Sequence, residues 1–214
     1  MKLPKIGTIE AFAVIVDINS FTPMVSKSAH NDSIAQFVRD TLSGGVDMVQ
    51  KHDGSVVSFM GDAFLAIMYN PDSVYMSCAG IAKDLDRQCE YISNHQDDYP
   101  DDWHYAKGGP SLKISIEYGW IDISTIYSEV LGEQRLLIGP AINYASRISS
   151  GGEGNRCLVG PEAFNKRGMN QWMNSGPYSV MGKNNEGKYH YWELDLGDIW
   201  REDRRDPCDE TYWG

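Results

Sequence analysis

Residues 12–17 read FAVIVD, a run that stays apolar until Asp17. A short, β-branched, continuously apolar run predicts a strand buried on both faces. A polar loop follows, from Asn19 to Pro23. The period then changes. Ile34, Phe37, Val38, Leu42, Val46 and Val49 recur every three or four positions, predicting a helix from Asp32 to Lys51 that Asn31 or Asp32 can cap. Gly44 and Gly45 weaken that helix by roughly 1 kcal/mol each relative to alanine and allow a bend. Asp53-Gly54 reads as a hairpin turn, and Gly61-Asp62 joins two short strands, Val56–Met60 and Ala63–Tyr69. A second helix runs from Asp72 to about Ser93, and residues 96–110 (QDDYPDDWHYAKGGP) form a loop rich in turn formers. Leu112–Tyr118 is a strand that Gly119–Ile123 continues. The segment from Leu136 to Pro140 leads into a helix, Ala141–Ser149, which the glycines at 151, 152 and 154 stop. Cys157–Val159 is a short strand, Pro161 opens a further helix, and Tyr178–Met181 with Tyr189–Leu194 form a closing pair of strands. Strands and helices alternate and include hairpins, so the pattern predicts one α/β domain over residues 1–195: a mixed sheet packed by helices.

Composition narrows the class. The chain has 214 residues, 42% hydrophobic and 23% charged, ordinary for one globular domain. Mean hydropathy is −0.41, and no apolar run approaches the ~20 residues a membrane span needs. The first residues lack a small-residue cleavage site, so a cytoplasmic protein without membrane association is expected. Cys78, Cys89, Cys157 and Cys208 fit neither a zinc nor a redox spacing and are expected as reduced structural thiols. A net charge of −11 argues against broad nucleic-acid binding through the phosphate backbone. Much of that charge lies near the C-terminus, where residues 196–214 form an acidic, solvated tail.

Two acids stand at strand ends, Asp17 and Asp62. A carboxylate desolvated there without a partner costs several kcal/mol. Either one alone serves equally well as a turn former or cap. Together, on neighbouring strands, they form an oxygen donor set for Mg²⁺ or Mn²⁺. Gly61 lets the backbone turn sharply beside Asp62, which aims its carboxylate.

Four segments in order, DINSFT (17–22), HDGSVVSFMGDAFLAI (52–67), LKISIEYGW (112–120) and IGPAINYASRISS (138–150), resemble the class III nucleotidyl cyclases. The resemblance runs from about residue 10 to 195. It implies a mixed, mainly antiparallel sheet flanked by helices, in a head-to-tail homodimer. It implies two divalent cations, Mn²⁺ or Mg²⁺, held by Asp17, Asp62 and the carbonyl of Ile18. It further implies a triphosphate cradled by Asn19, Ser20, Phe21 and Thr22, a ribose positioned by Asn143, and an α-phosphate met by Arg147.

The chain departs from that family at the base. Ser58 stands where the family has Lys or Glu, and Leu136 where it has Asp or Cys. Neither the adenine-reading nor the guanine-reading pair is present. The usual triphosphate lysine is replaced by Met181, which leaves Lys183 or Lys188 as substitutes, Lys183 being the candidate. These departures resemble the pyrimidine cyclases of bacterial Pycsar antiphage systems. That resemblance implies UTP turned into cyclic UMP, or CTP into cyclic CMP, with the product activating a separate effector.

Overall fold

The computed structural model describes residues 3–19, 31–95, 97, 99, 110–130, 132–166, 168–173, 175–182 and 186–198. Ser20, Phe21, Thr22, Lys183, Cys208, nearly all of the 96–110 loop and most of the acidic tail lie outside the described residues, as does the side chain of Asn31.

Among the described residues, eight strands form one sheet in the order β2-β3-β1-β4-β6-β8-β7, with β5 paired to β4 off that path. The strands are β1 (Gly7–Asn19), β2 (Ser55–Phe59), β3 (Ala63–Met68), β4 (Ser111–Ser128), β5 (Gly132–Ile138), β6 (Arg156–Val159), β7 (Ser175–Met181) and β8 (Lys188–Asp195). Among the described residues β4 and β6 run parallel, and the other pairings are antiparallel. The helices are α1 (Asn31–Lys51), α2 (Pro71–Asn94), α3 (Pro140–Ile148) and α4 (Pro161–Phe164).

Strand β1 is central, and Ala11 to Val16 are buried, as the unbroken apolar run predicts. Its two faces differ in size for a reason. Phe12, Val14 and Val16 face the large core built with α1 and α2. Ala11 and Ala13 pack with Ala141 and Ala145 of α3, where small side chains let helix and sheet approach closely. Helix α2 starts at Pro71, with the side chain of Asn70 accepting a hydrogen bond from the Asp72 amide at 2.8 Å.

Three expectations need correction. Asp53-Gly54 does not close a hairpin; it ends α1 and leads into β2. Asp53 takes φ +63, and the Gly54 amide returns to the Val49 carbonyl at 2.8 Å, a left-handed helix stop. Gly44 and Gly45 do not interrupt α1, because their missing side chains make room for Asp84 and Phe64. Pro161 does open a helix, as expected, and it runs to Phe164. The pattern also missed β5. Strand β4 extends for 18 residues, and its far half pairs with β5 in a protruding two-stranded arm. Arg135 and Leu136 of β5 are exposed, so burial imposed no readable alternation there.

Candidate active site

The site is built at the end of β1. Asp17 pairs with Ala63 on one side and Lys113 on the other. Residues 60–63 turn β2 into β3, with the Met60 amide bonded to the Ala63 carbonyl at 2.8 Å. Gly61 has φ +72, while a Cβ there would meet nothing within 4 Å. Its glycine therefore answers to backbone conformation and not to space, as a two-residue hairpin turn with a positive first φ requires. The Ile18 amide donates to the Asp62 carbonyl at 3.2 Å, which ties the tip of the hairpin to β1. In an antiparallel ladder a residue's N–H and C=O face the same neighbour, so the Ile18 carbonyl also faces the Asp62 turn. Asp17, Ile18 and Asp62 thus come together from positions 44 to 45 residues apart.

Electrostatics agrees with that proximity. Burial, then the Asp62 carboxylate, push the Asp17 carboxyl above its ordinary range, and Lys113 opposes them. Two like charges gathered at a half-buried strand end make a costly arrangement without a cation. Their oxygens are the donor type that hard divalent cations take, so the residues present fit Mg²⁺ or Mn²⁺. Next to them, Asn19 donates from Nδ2 to the Ser111 hydroxyl at 3.2 Å.

Asn143 and Arg147 lie together on the outward face of α3, while Ala141, Ala145 and Ile148 face inward. Arg147 pairs with Glu186 and not with either aspartate: Nε to Oε2 is 2.7 Å and Nη2 to Oε1 is 2.8 Å. Tyr144, between them on α3, accepts from the His190 amide at 2.9 Å and donates to the His190 carbonyl at 3.1 Å. Helix α3 is thereby fastened to β8. Ser58 and Leu136 are both exposed and sit on β2 and β5, which β3, β1 and β4 separate in the strand order.

Two residues escaped the sequence reading. Lys113 carries no local mark of its role; it matters because the register sets it across from Asp17. Glu186 lies in the closing hairpin, where attention fell on lysines. Its acidic character beside a glycine turn was visible, but its partner on α3 was not.

The family described as the adenylate and guanylate cyclase catalytic domain matches residues 8–193. A search of curated proteins finds no match. Among solved structures, the guanylyl cyclase Cya2 superposes with a TM-score of 0.71 at 15% identity, covering 89% of this chain and 94% of that one. The guanylate cyclase domain of RhGC from Catenaria anguillulae, solved with GTP, gives 0.65 at 16% identity, covering 88% and 98%. The adenylyl cyclase CyaB from P. aeruginosa gives 0.63 at 15% identity, covering 88% and 96%. These likenesses extend the mixed, mostly antiparallel sheet flanked by helices over nearly the whole of each chain. With the family matched across β1 to β8, the chain belongs to the adenylate and guanylate cyclase catalytic domain family and carries a class III nucleotide cyclase fold.

Proposed function

We propose that this protein is a pyrimidine nucleotide cyclase, converting UTP to 3′,5′-cyclic UMP and pyrophosphate. CTP is the alternative pyrimidine. The observation that carries the reading is the pair Ser58 and Leu136. A hydroxyl and an aliphatic side chain replace the groups that read a purine. A site built to hydrogen-bond one base rejects another by ~10⁴-fold, so losing both determinants means a changed substrate or, as the alternative, a catalytically silent cyclase-like regulatory dimer.

In the reaction the ribose 3′-oxygen attacks the α-phosphorus, the hydroxyl proton passes to water, and the bond to the β-phosphate oxygen breaks. Asp17, Asp62 and the Ile18 carbonyl would hold two divalent cations, Mn²⁺ or Mg²⁺. When bound, these supply charge neutralisation at the α-phosphate and leaving pyrophosphate and a lowered hydroxyl pKa. The chain's own groups do the rest. Asn143 orients the ribose. Arg147 donates to the α-phosphate oxygens as charge builds there. Asn19, Ser20, Phe21 and Thr22 cradle the triphosphate through their amides, with Lys183 as the candidate hairpin cation. Lys113, facing the aspartate pair, adds a positive charge on the side where the triphosphate would lie. A gain of ~10⁶ in rate needs about 8 kcal/mol of transition-state stabilisation.

The active form proposed is a head-to-tail homodimer. The aspartates of one protomer meet Asn143 and Arg147 of its partner. Two features support it. Asn143 and Arg147 face outward from their own chain. The β4–β5 arm exposes Ile126, Tyr127, Val130, Leu136 and Ile138, an apolar set that solvent alone does not favour. The product would act as a second messenger on a separate effector in antiphage defence.

A purine reading has one observation behind it: the matched structures are guanylyl and adenylyl cyclases. Incubating the purified protein with each of the four nucleoside triphosphates and Mn²⁺, then identifying the cyclic product and pyrophosphate, decides. Cyclic UMP or cyclic CMP as the main product is expected. A cyclic purine as main product overturns the pyrimidine reading, and no cyclic product from any of the four overturns the enzyme.

A further inference from the structure

We propose that Glu186 is a positioning residue: it holds the Arg147 guanidinium in the orientation that meets the α-phosphate. This rests on the cyclase reading of Arg147 given above.

The geometry of the pair carries the inference. Glu186 uses both oxygens, Oε2 on Nε at 2.7 Å and Oε1 on Nη2 at 2.8 Å. Two parallel bonds fix the plane of the guanidinium as well as its place. They occupy only the Nε–Nη2 edge. Glu186 leaves three of the five N–H donors, two on Nη1 and one on Nη2, and the Tyr189 hydroxyl also reaches the guanidinium. One N–H of Nη1 and one of Nη2 form the end-on edge, which is itself a fork of the right shape for two phosphate oxygens. Glu186 therefore orients the arginine without consuming the edge that a phosphate needs.

Glu186 is itself held in place. The hairpin is closed by the Gly182 amide on the Gly187 carbonyl at 2.7 Å. Gly187 has φ +95, a left-handed conformation that favours glycine. The Tyr189 hydroxyl donates to Glu186 Oε2 at 3.2 Å. A Cβ on Gly182 would come within 2.6 Å of the Tyr189 ring and 2.9 Å of the Glu186 Cβ. The hairpin is fastened to α3 by the double hydrogen bond between Tyr144 and the His190 backbone, and Tyr144 meets Tyr189 edge to face at 5.0 Å. The arginine, its acid and the hairpin thus form one packed unit. Both partners remain about one-third exposed, at 30% and 33%. Partly exposed ion pairs contribute little to stability, so orientation is the stronger account of a paired, bidentate geometry.

The experiment compares the full-length wild type with Glu186→Ala, Glu186→Gln, Arg147→Ala and the Glu186→Ala/Arg147→Ala double variant. Initial rates are measured with Mn²⁺ and whichever of the four nucleoside triphosphates the wild type cyclises, and thermal unfolding is followed for each protein. Glu186→Ala should lower kcat about 10-fold or more with little change in KM, as misplacing a catalytic group does. Glu186→Gln, which keeps one acceptor oxygen, should fall between. The double variant should match Arg147→Ala alone, because Glu186 acts only through that arginine. Unfolding temperatures should stay close to wild type. An unchanged kcat, a change confined to KM, or additive losses in the double variant overturn the proposal while leaving the cyclase reading intact. A raised kcat overturns it too, and makes the pair a brake. A wild type that cyclises none of the four overturns both.

Discussion

Glu117 illustrates what a single side chain imposes. It is 2% exposed on β4, next to the buried Ile116. One oxygen accepts from the amides of Tyr118 at 2.8 Å and Ala163 at 2.7 Å. The other, Oε2, has no hydrogen-bond partner among the described residues. Burial pushes its carboxyl from 4.5 up to about 7; the Glu162 charge adds to this, and the backbone N–H groups at Tyr118, Ala163 and Glu162 oppose it. Because the folded-state value is the higher one, the stability this group contributes is fully present below about 4.5. It is lost as pH rises through about 7. The loss amounts to roughly 3 kcal/mol. Glu117→Gln keeps the shape and the acceptor oxygen but cannot ionise. It should flatten that part of the pH profile and be more stable than wild type at pH 8. Urea denaturation at pH 5, 6, 7 and 8 tests this, and a variant as pH-dependent as wild type would refute it.

At the scale of elements, α1 shows why a weak helix former is kept. Alanine at position 45 would gain up to ~1 kcal/mol in helix propensity. Its Cβ, however, would lie 2.7 Å from Cε1 and 3.0 Å from Cζ of Phe64, a fully buried ring on β3. Overpacking of that kind costs roughly 1–3 kcal/mol. The packing term outweighs the propensity gain over most of that range, so Gly45→Ala should destabilise by up to about 2 kcal/mol. Position 44 is different, since its added Cβ would meet only the end of the Asp84 side chain, which can move aside. Gly44→Ala should therefore cost less, and chemical denaturation of the two variants side by side tests the ranking. Equal costs would mean that the helix, and not its seat on β3, sets the effect.

The whole molecule raises the question of shared sites. In the proposed dimer each site takes its aspartates from one protomer and its arginine from the other. An Asp62→Ala chain mixed equally with an Arg147→Ala chain would form mixed dimers holding one intact and one doubly damaged site. With random pairing, half of the dimers are mixed, so recovery should approach about one quarter of wild-type activity from two inactive parents. Dimer formation is followed alongside by light scattering. Dimers without recovery would place all the catalytic groups within one chain.

Much of this was legible before any coordinate. The apolar run at 12–17 requires a strand covered on both sides, and the three- and four-residue repeat defines α1, because burial writes its period directly into composition. Asp17 and Asp62 stood out locally as acids at strand ends, whereas Asn143 and Arg147 stood out only through the family resemblance. What folding alone decided is partnership. The ladder that faces Lys113 with Asp17, the turn that brings Asp62 to Ile18 and the hairpin that delivers Glu186 to Arg147 join residues dozens of positions apart. Strand β5 was hidden for the related reason that an exposed arm leaves no alternation to read. A linear pattern records which groups are buried or polar; only the closed sheet determines which of them meet.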